Sequence, residues 1–471
     1  MYTLIIAIAT FLSVACKPVE QTDPWPVIPE SEKEPLLVQS KATPSDSYST
    51  YETYTVKNLP GFNPSAPPKL DKYGGIESIT FDATGFFRVE EIDGRWWIIT
   101  PLGHPFIAAS VGEMVVGGSD RQKRAMTSIF GTLPLWAASE MDWIRSKGFT
   151  ALGRGSSSTV KDIPSRLPYC VYCDPMYAFS RNLQKNKGYD VPKALPILFD
   201  DEYESYISQY IRWLSLYAND PYCIGIFTDN ELYWTNDILK IYITRLPAGC
   251  KSRKVAQEWL DERKGKINSG VSDITPEDVD AFKAYCLDSY LSITKNVLRM
   301  YDPNHMFIGQ RFYSWTSELV SPAMLDVAGR YMDIVSINHY TKWTPSQQDF
   351  ENWSNWSGRP IIVSEFYVKG EDSGLPNNTG IGWIVPTQRD RGLFYENFVI
   401  SLLKTKKCVG WQWFKYQDND PEDLTADPSN IDSNKGLVKW NFERYDEMID
   451  LMEEVNLQIY NLIEFYDTQN Q

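Results

Sequence analysis

Residues 223–234 read CIGIFTDNELYW, an apolar run that breaks abruptly into acids and amides. Five apolar residues are too few for a helix and suit a strand buried on both faces. Asn230 and Glu231 then stand at the C-terminal end of that strand. The same design recurs at 360–367, PIIVSEFY, and puts Glu365 at the end of a second buried strand. Six more apolar runs complete the set: PFIAAS from 105, FTALG from 149, PYCVYC from 168, MFIGQ from 306, DIVSI from 333 and CVGWQW from 408. Amphipathic stretches such as 202–217 and 279–300 lie between them. Eight strands, each followed by a helix, predict an α/β fold, a (β/α)8 TIM barrel over 104–471 with its working residues at the strand C-termini. Glu231 then ends strand four and Glu365 strand seven, and the long insert 235–278 sits on the working face.

Ahead of the barrel the pattern changes. Residues 71–103 read as a small β-rich approach segment. Phe86–Val89 and Trp96–Ile99 flank Asp93-Gly94, a hairpin turn signal. Residues 16–70 are rich in Pro, Ser, Thr and Glu without periodicity and read as a tether. Residues 1–15 are apolar, too short to span a bilayer well, and end Ser13-Val14-Ala15 before Cys16. That stretch resembles a bacterial lipoprotein signal, with Cys16 lipidated. The expectation is an exported lipoprotein, held by its lipid at the outer membrane, the cell surface or the periplasmic face.

With 46 basic and 61 acidic residues the chain carries a net charge of -15, and no basic cluster stands out. Nucleic acid is excluded as a partner, and sulfated polyanions are disfavoured. The 16 Trp, 28 Tyr and 21 Phe suit stacking on the C–H faces of sugars, as they also suit an aromatic core. Cys170 and Cys173 have metal-like spacing, but no second pair exists, and His104, His305 and His339 are the only histidines. No metal site and no cofactor are expected. The acidic segment 418–436 fails the EF-hand spacing and reads as a solvated loop bordering the active site.

Two glutamates, each at the end of its own buried strand, are the equipment of a retaining glycosidase: one protonates the leaving oxygen, the other attacks the anomeric carbon. Asn230 is placed to hold the sugar 2-hydroxyl. Arg311 ends strand five, and His339 and Tyr340 end strand six. All three are candidates for orienting a carboxylate or a sugar. Trp411 and Trp413 lie two apart on strand eight, and Trp413 is the candidate floor under the sugar.

At these residues the chain resembles glycoside hydrolase family 50, the β-agarases, or a close relative within the (β/α)8 retaining clan. The resemblance runs from GFFRVEEIDGRWWIITPLGHPFI through TDNELYW, GQRFYSW, DIVSINHY and PIIVSEFY to VGWQWFKYQD, roughly residues 80–420. It implies Glu231 as acid/base and Glu365 as nucleophile, with Asn230, Arg311, Tyr340 and Trp413 lining the innermost subsite. It also implies hydrolysis of an agarose-like β-galactosidic polysaccharide or oligosaccharide. Two rivals stand beside that expectation: an exo-acting β-glycosidase on another algal or plant glycan, and a non-catalytic glycan-binding lipoprotein. The presence of both glutamates speaks against the second.

Overall fold

Eight parallel strands close into a barrel in sequence order. They are Ala108–Val111, Ala151–Leu152, Tyr169–Cys173, Cys223–Asn230, Met306–Tyr313, Val335–Asn338, Ile361–Phe366 and Cys408–Trp413. The computed structural model describes residues 28–314 and 320–468. Helices such as Leu133–Ser146, Pro175–Lys187, Pro276–Tyr301 and Gln388–Lys404 alternate with the strands. The insert after strand four folds as the helices Ile238–Thr244 and Lys251–Lys264. Glu231 follows strand four directly, and Glu365 lies in strand seven, as the eight-strand reading requires.

The approach hairpin pairs Arg88–Ile92 with Arg95–Ile99 antiparallel. Its turn, Asp93-Gly94, has φ of 50° and 78°. Two consecutive positive φ values make a type I′ turn, whose twist matches that of the strands it joins. A short third strand, Pro105–Phe106, extends this sheet and runs on into the barrel. The sheet closes the N-terminal end of the barrel. Phe87, Ile98 and Phe106 pack with Ile224, Ile308, Ile362 and Val409 from the barrel strands in one buried cluster. The opposite, C-terminal mouth is left for chemistry.

From residue 28 onward the stretch read as a tether is a docked element. Leu36–Ser40 pairs antiparallel with Ser49–Thr53. Tyr51 stacks on Trp343 at 5.2 Å between ring centroids. Val56 and Phe62 are buried. The backbone N–H groups of Tyr54 and Val56 donate to Asn397 Oδ1 at 3.0 Å and Glu396 Oε2 at 2.9 Å, on helix Gln388–Lys404. The sequence hides this because the contacts are single anchors in sockets on the barrel, with no repeating apolar pattern. The signal segment 1–15 and Cys16 lie outside the described residues. Among the described residues no helix is long and apolar enough to cross a membrane. The six cysteines among them are buried and free.

Glu396 is fully buried, and burial pushes its carboxyl up to about 8 from an ordinary 4.5. An unfolded chain releases that proton near pH 4.5, whereas the folded chain keeps it to about pH 8. Stability therefore falls as pH rises through that window and levels off above it. Glu396→Gln removes this component. Urea unfolding at a series of pH values should show a flatter decline for the variant between pH 5 and 8, and parallel slopes would exclude a neutral buried acid here.

Candidate active site

The site is built around Arg311, whose side chain is fully buried at the barrel mouth. Strand five carries a bulge at Gly309, which has φ of 68° and marks a register shift against strand four. Ile308 points into the barrel, so strict alternation would send Arg311 outward; the extra residue turns it in. Its guanidinium donates to Glu365 Oε1 at 2.6 Å, to the Ser364 carbonyl at 2.7 Å and to Asn230 Oδ1 at 2.7 Å.

Around it the carboxylates and amides form one network. Tyr340 donates its hydroxyl to Glu365 Oε2 at 2.8 Å. Arg154, at the end of strand two, stands 3.6 Å from Glu365 Oε1 and donates to Glu113 at 2.8 Å. Asn338 accepts from the Ser364 hydroxyl at 2.8 Å and donates to Asn230 Oδ1 at 3.2 Å and to Glu231 Oε1 at 2.7 Å. A guanidinium has only donors, so the Asn230 oxygen must face Arg311. Its amide NH2 group is left for the cleft that Asn230 lines.

Strand four ends in a twist. Asp229 and Glu231 both have positive φ, 56° and 48°. Left-handed backbone costs roughly 1–2 kcal/mol at a non-glycine residue. Asp229 offsets it by accepting from the N–H groups of Met176 and Tyr177 at 3.1 and 2.8 Å, at the start of helix Pro175–Lys187, and from the Tyr290 hydroxyl at 2.7 Å. Asn230 and Glu231 are thereby presented to a cavity of about 270 Å³. Arg154, Tyr313, Tyr340, Glu365, Tyr367 and Phe414 line it with them.

Below about pH 7 the surroundings favour a protonated Glu231 beside an ionised Glu365. Burial and the negative charge of Glu365 push Glu231 up to about 7, against the opposing hydrogen bond from Asn338. Burial also acts to raise Glu365. The charges of Arg311 and Arg154, with the Tyr340 and Arg311 hydrogen bonds, outweigh it and hold Glu365 below the ordinary carboxylate value. An ionised carboxylate and a protonated one facing the same small cavity can supply a nucleophile and an acid together.

No protein-family model matches the chain. A solved structure described as BpGH50 superposes with a TM-score of 0.81 at 27% identity, covering 92% of this chain and 96% of that one. β-Agarase B of Vibrio sp. (strain JT0107) is 22% identical over 498 residues, which take in 84% of this chain and 51% of that protein. By fold and sequence the chain is similar to glycoside hydrolase family 50 and its agarase-like relatives. A solved exo-β-agarase shares the fold, with a TM-score of 0.70 at 21% identity over 84% of this chain and 69% of its own. The chain spans about half the length of the curated relatives it matches.

Within this barrel, Asn230, Glu231, Arg311, Tyr340 and Glu365 come together, and two expected residues do not. Trp413 is fully buried on the outer side of strand eight, where it donates Nε1 to the Lys435 carbonyl and meets Phe366 edge-on. The register against strand seven jumps from Cys408 to Gly410, so Val409 is an extra residue. Val409 faces the barrel interior, but Trp411 and Trp413 are swung toward the helices. Phe414 reaches the cleft instead. His339 faces outward because its neighbour Tyr340 faces in. It packs against Phe350, Trp353 and Phe398, shares a 2.9 Å hydrogen bond with the Ser314 hydroxyl, and is driven down to about 3 by burial.

Asn338, Arg154 and Glu113 belong to the network without having been singled out in the sequence. Period two from Tyr340 points to Asn338. Arg154 and Glu113 follow strands two and one, whose short apolar runs carry little positional signal. The acidic loop 418–436 does border the cleft, through Asp427, Ser429 and Asn430. Its first acid is structural rather than solvated. Asp418 is buried and accepts from the Lys435 and Gly436 N–H groups at 2.8 and 2.7 Å and from the Tyr445 hydroxyl at 2.7 Å.

Replacing Glu365 by Gln removes the charge that helps hold the Glu231 proton. Carbon-13 NMR titration of labelled glutamate should then show the Glu231 midpoint moving down from about 7. An unmoved midpoint would mean that the two carboxyls do not share a site.

Proposed function

We propose that the chain is a retaining β-glycosidase acting on a β-galactosidic, agarose-like glycan. The observation that carries this reading is the pairing of a protonated Glu231 with an ionised Glu365 in one network. Glu365 attacks the anomeric carbon while Glu231 passes its proton to the departing glycosidic oxygen. The sugar stays on Glu365 as an ester. Glu231, now ionised, takes a proton from water, which displaces the carboxylate and restores the starting configuration. The Asn230 NH2 group is placed to hold the 2-hydroxyl, a contact that strengthens in the transition state. Arg311 and Tyr340 keep the nucleophile ionised. These steps draw on side chains alone. The agarose-like substrate rests on the family resemblance and on the agarases among the similar proteins.

The test uses both glutamates. Glu365→Gln should lower kcat on the order of 10⁴-fold or more, while glycan binding survives. Glu231→Gln should still form the glycosyl-enzyme from a nitrophenyl galactoside, whose leaving group needs little protonation, and the ester should accumulate. Azide, which needs no general base, should restore turnover of that variant and yield a β-galactosyl azide. An α-azide, or full activity in both variants on a substrate the wild type cleaves, would reject the assignment.

A further inference from the structure

The loop after strand seven supplies part of the cleft wall through Gly380 and Ile381, yet residues 374–383 form no strand or helix that would fix them. A pair of opposite charges fixes them instead. Lys369, in the same chain segment as Glu365 and just beyond strand seven, is buried. Its ammonium donates to the carbonyls of Asn377, Thr379 and Gly380 at 3.3, 3.1 and 2.9 Å. Those three bonds use every proton the ammonium has. The N–H groups of the same loop go to the opposite charge. The Asp432 carboxylate accepts from Asn378 and Thr379 at 3.0 and 2.8 Å, and also from the Thr379 hydroxyl. Gly380, with φ of 79°, lies so close to the hydroxyls of Tyr367 and Ser433 that a Cβ would meet each at 2.5 Å. Tyr367 lines the cleft as well, so a shift of this loop changes the space offered to a ligand.

We propose that Lys369 and Asp432 are positioning residues, which clamp loop 377–380 between an ammonium and a carboxylate and so set the cleft wall and the affinity for the glycan. The proposal rests on the glycosidase reading above. A lysine is rarely buried without a carboxylate partner, because its ammonium loses its water. Methionine would fill the same space without that penalty, but it has no donor for three carbonyls. The buried charge is accounted for by the loop it holds. Burial lowers Lys369 to about 8, against the attraction of Asp432, so the ammonium keeps its proton in neutral and acid solution. The hydrogen bonds that set the two glutamates come from Asn338, Arg311 and Tyr340, outside the clamp. The clamp therefore acts on binding more than on the chemical step.

The test compares the full chain with Lys369→Met, Asp432→Asn and the double variant at about pH 6, where Lys369 and Glu231 both hold their protons. Hydrogen–deuterium exchange, read by mass spectrometry, should quicken at least about tenfold over 377–382 in each variant, with helix Gln388–Lys404 unchanged. On a neutral agarose hexasaccharide, KM should rise about tenfold or more while kcat stays within about threefold. The double variant should be no worse than the worse single one, because both substitutions release the same loop. A role in general stability would lower kcat with the amount of folded enzyme and leave KM alone. Unchanged exchange in the loop, faster exchange spread over the barrel, or an unchanged KM would overturn the clamp. If Lys369→Met does not fold, Asp432→Asn decides by the same criteria. If the wild type does not cleave the hexasaccharide, the glycosidase reading fails separately. Exchange and equilibrium binding of the hexasaccharide then decide: local loosening with weaker binding supports the clamp, and equal or absent binding overturns it.

Discussion

A guanidinium with no access to water has to be neutralised where it stands, and Arg311 imposes that condition on the whole barrel mouth. Its counter-charge is Glu365, and the pair is completed by Asn230, the Ser364 carbonyl and the Tyr340 hydroxyl on the carboxylate. Removing one member of such a pair typically costs about 3–5 kcal/mol, because the other charge is left in a medium that cannot solvate it. Strands four to seven each contribute a member, so the sheet cannot slip by a residue without breaking the set. The constraint that stabilises the mouth also orders its chemistry. The cation that pins Glu365 keeps it ionised, and the charge so retained raises Glu231.

The fold was legible in the sequence because strands buried on both faces leave continuous apolar runs, and all eight runs became barrel strands. The two glutamates were legible because an acid at the end of such a run has few structural explanations. What could not be read was the direction of individual side chains. Extra residues at Gly309 and Val409 reverse the alternation partway along strands five and eight. Arg311 was named from its position at a strand end, and a bulge brings it into the site. Trp413 was named by the same logic, and a bulge takes it away. His339 is a different case, since plain alternation already excludes it once Tyr340 is inside. The docking of residues 28–70 was illegible for want of periodicity, its hydrogen bonds being made to side chains of a helix more than three hundred residues on.

The cleft wall is shared between loops that hold one another. Asp432 accepts from the N–H groups of Asn378 and Thr379 at 3.0 and 2.8 Å, and Asn434 takes the N–H of Gly370 at 3.0 Å. The loop after strand seven is tied in turn to the N-terminal hairpin. Lys41 and Ile384 exchange backbone hydrogen bonds at 2.9 and 2.8 Å, and both Lys41 and Tyr48 reach Glu371. Gly380 and Ile381, which line the cleft with Glu231 and Glu365, are therefore braced from outside the barrel by an element that takes no part in its sheet.

That brace has a temporal side. Val56 finds its acceptor on Glu396, 340 residues later in the chain, and Arg95 finds its partner Asp467 372 residues later. At about 5–20 residues per second, a ribosome takes roughly 20–70 s to deliver the Glu396 socket after Val56 has emerged. During that interval the hairpin lacks its docking sites on helix Gln388–Lys404, and a two-stranded hairpin is marginal by itself. Contacts of such high sequence separation slow folding, because the loop must be closed before the contact rewards it. The barrel mouth accordingly acquires its outer support among the last events of folding.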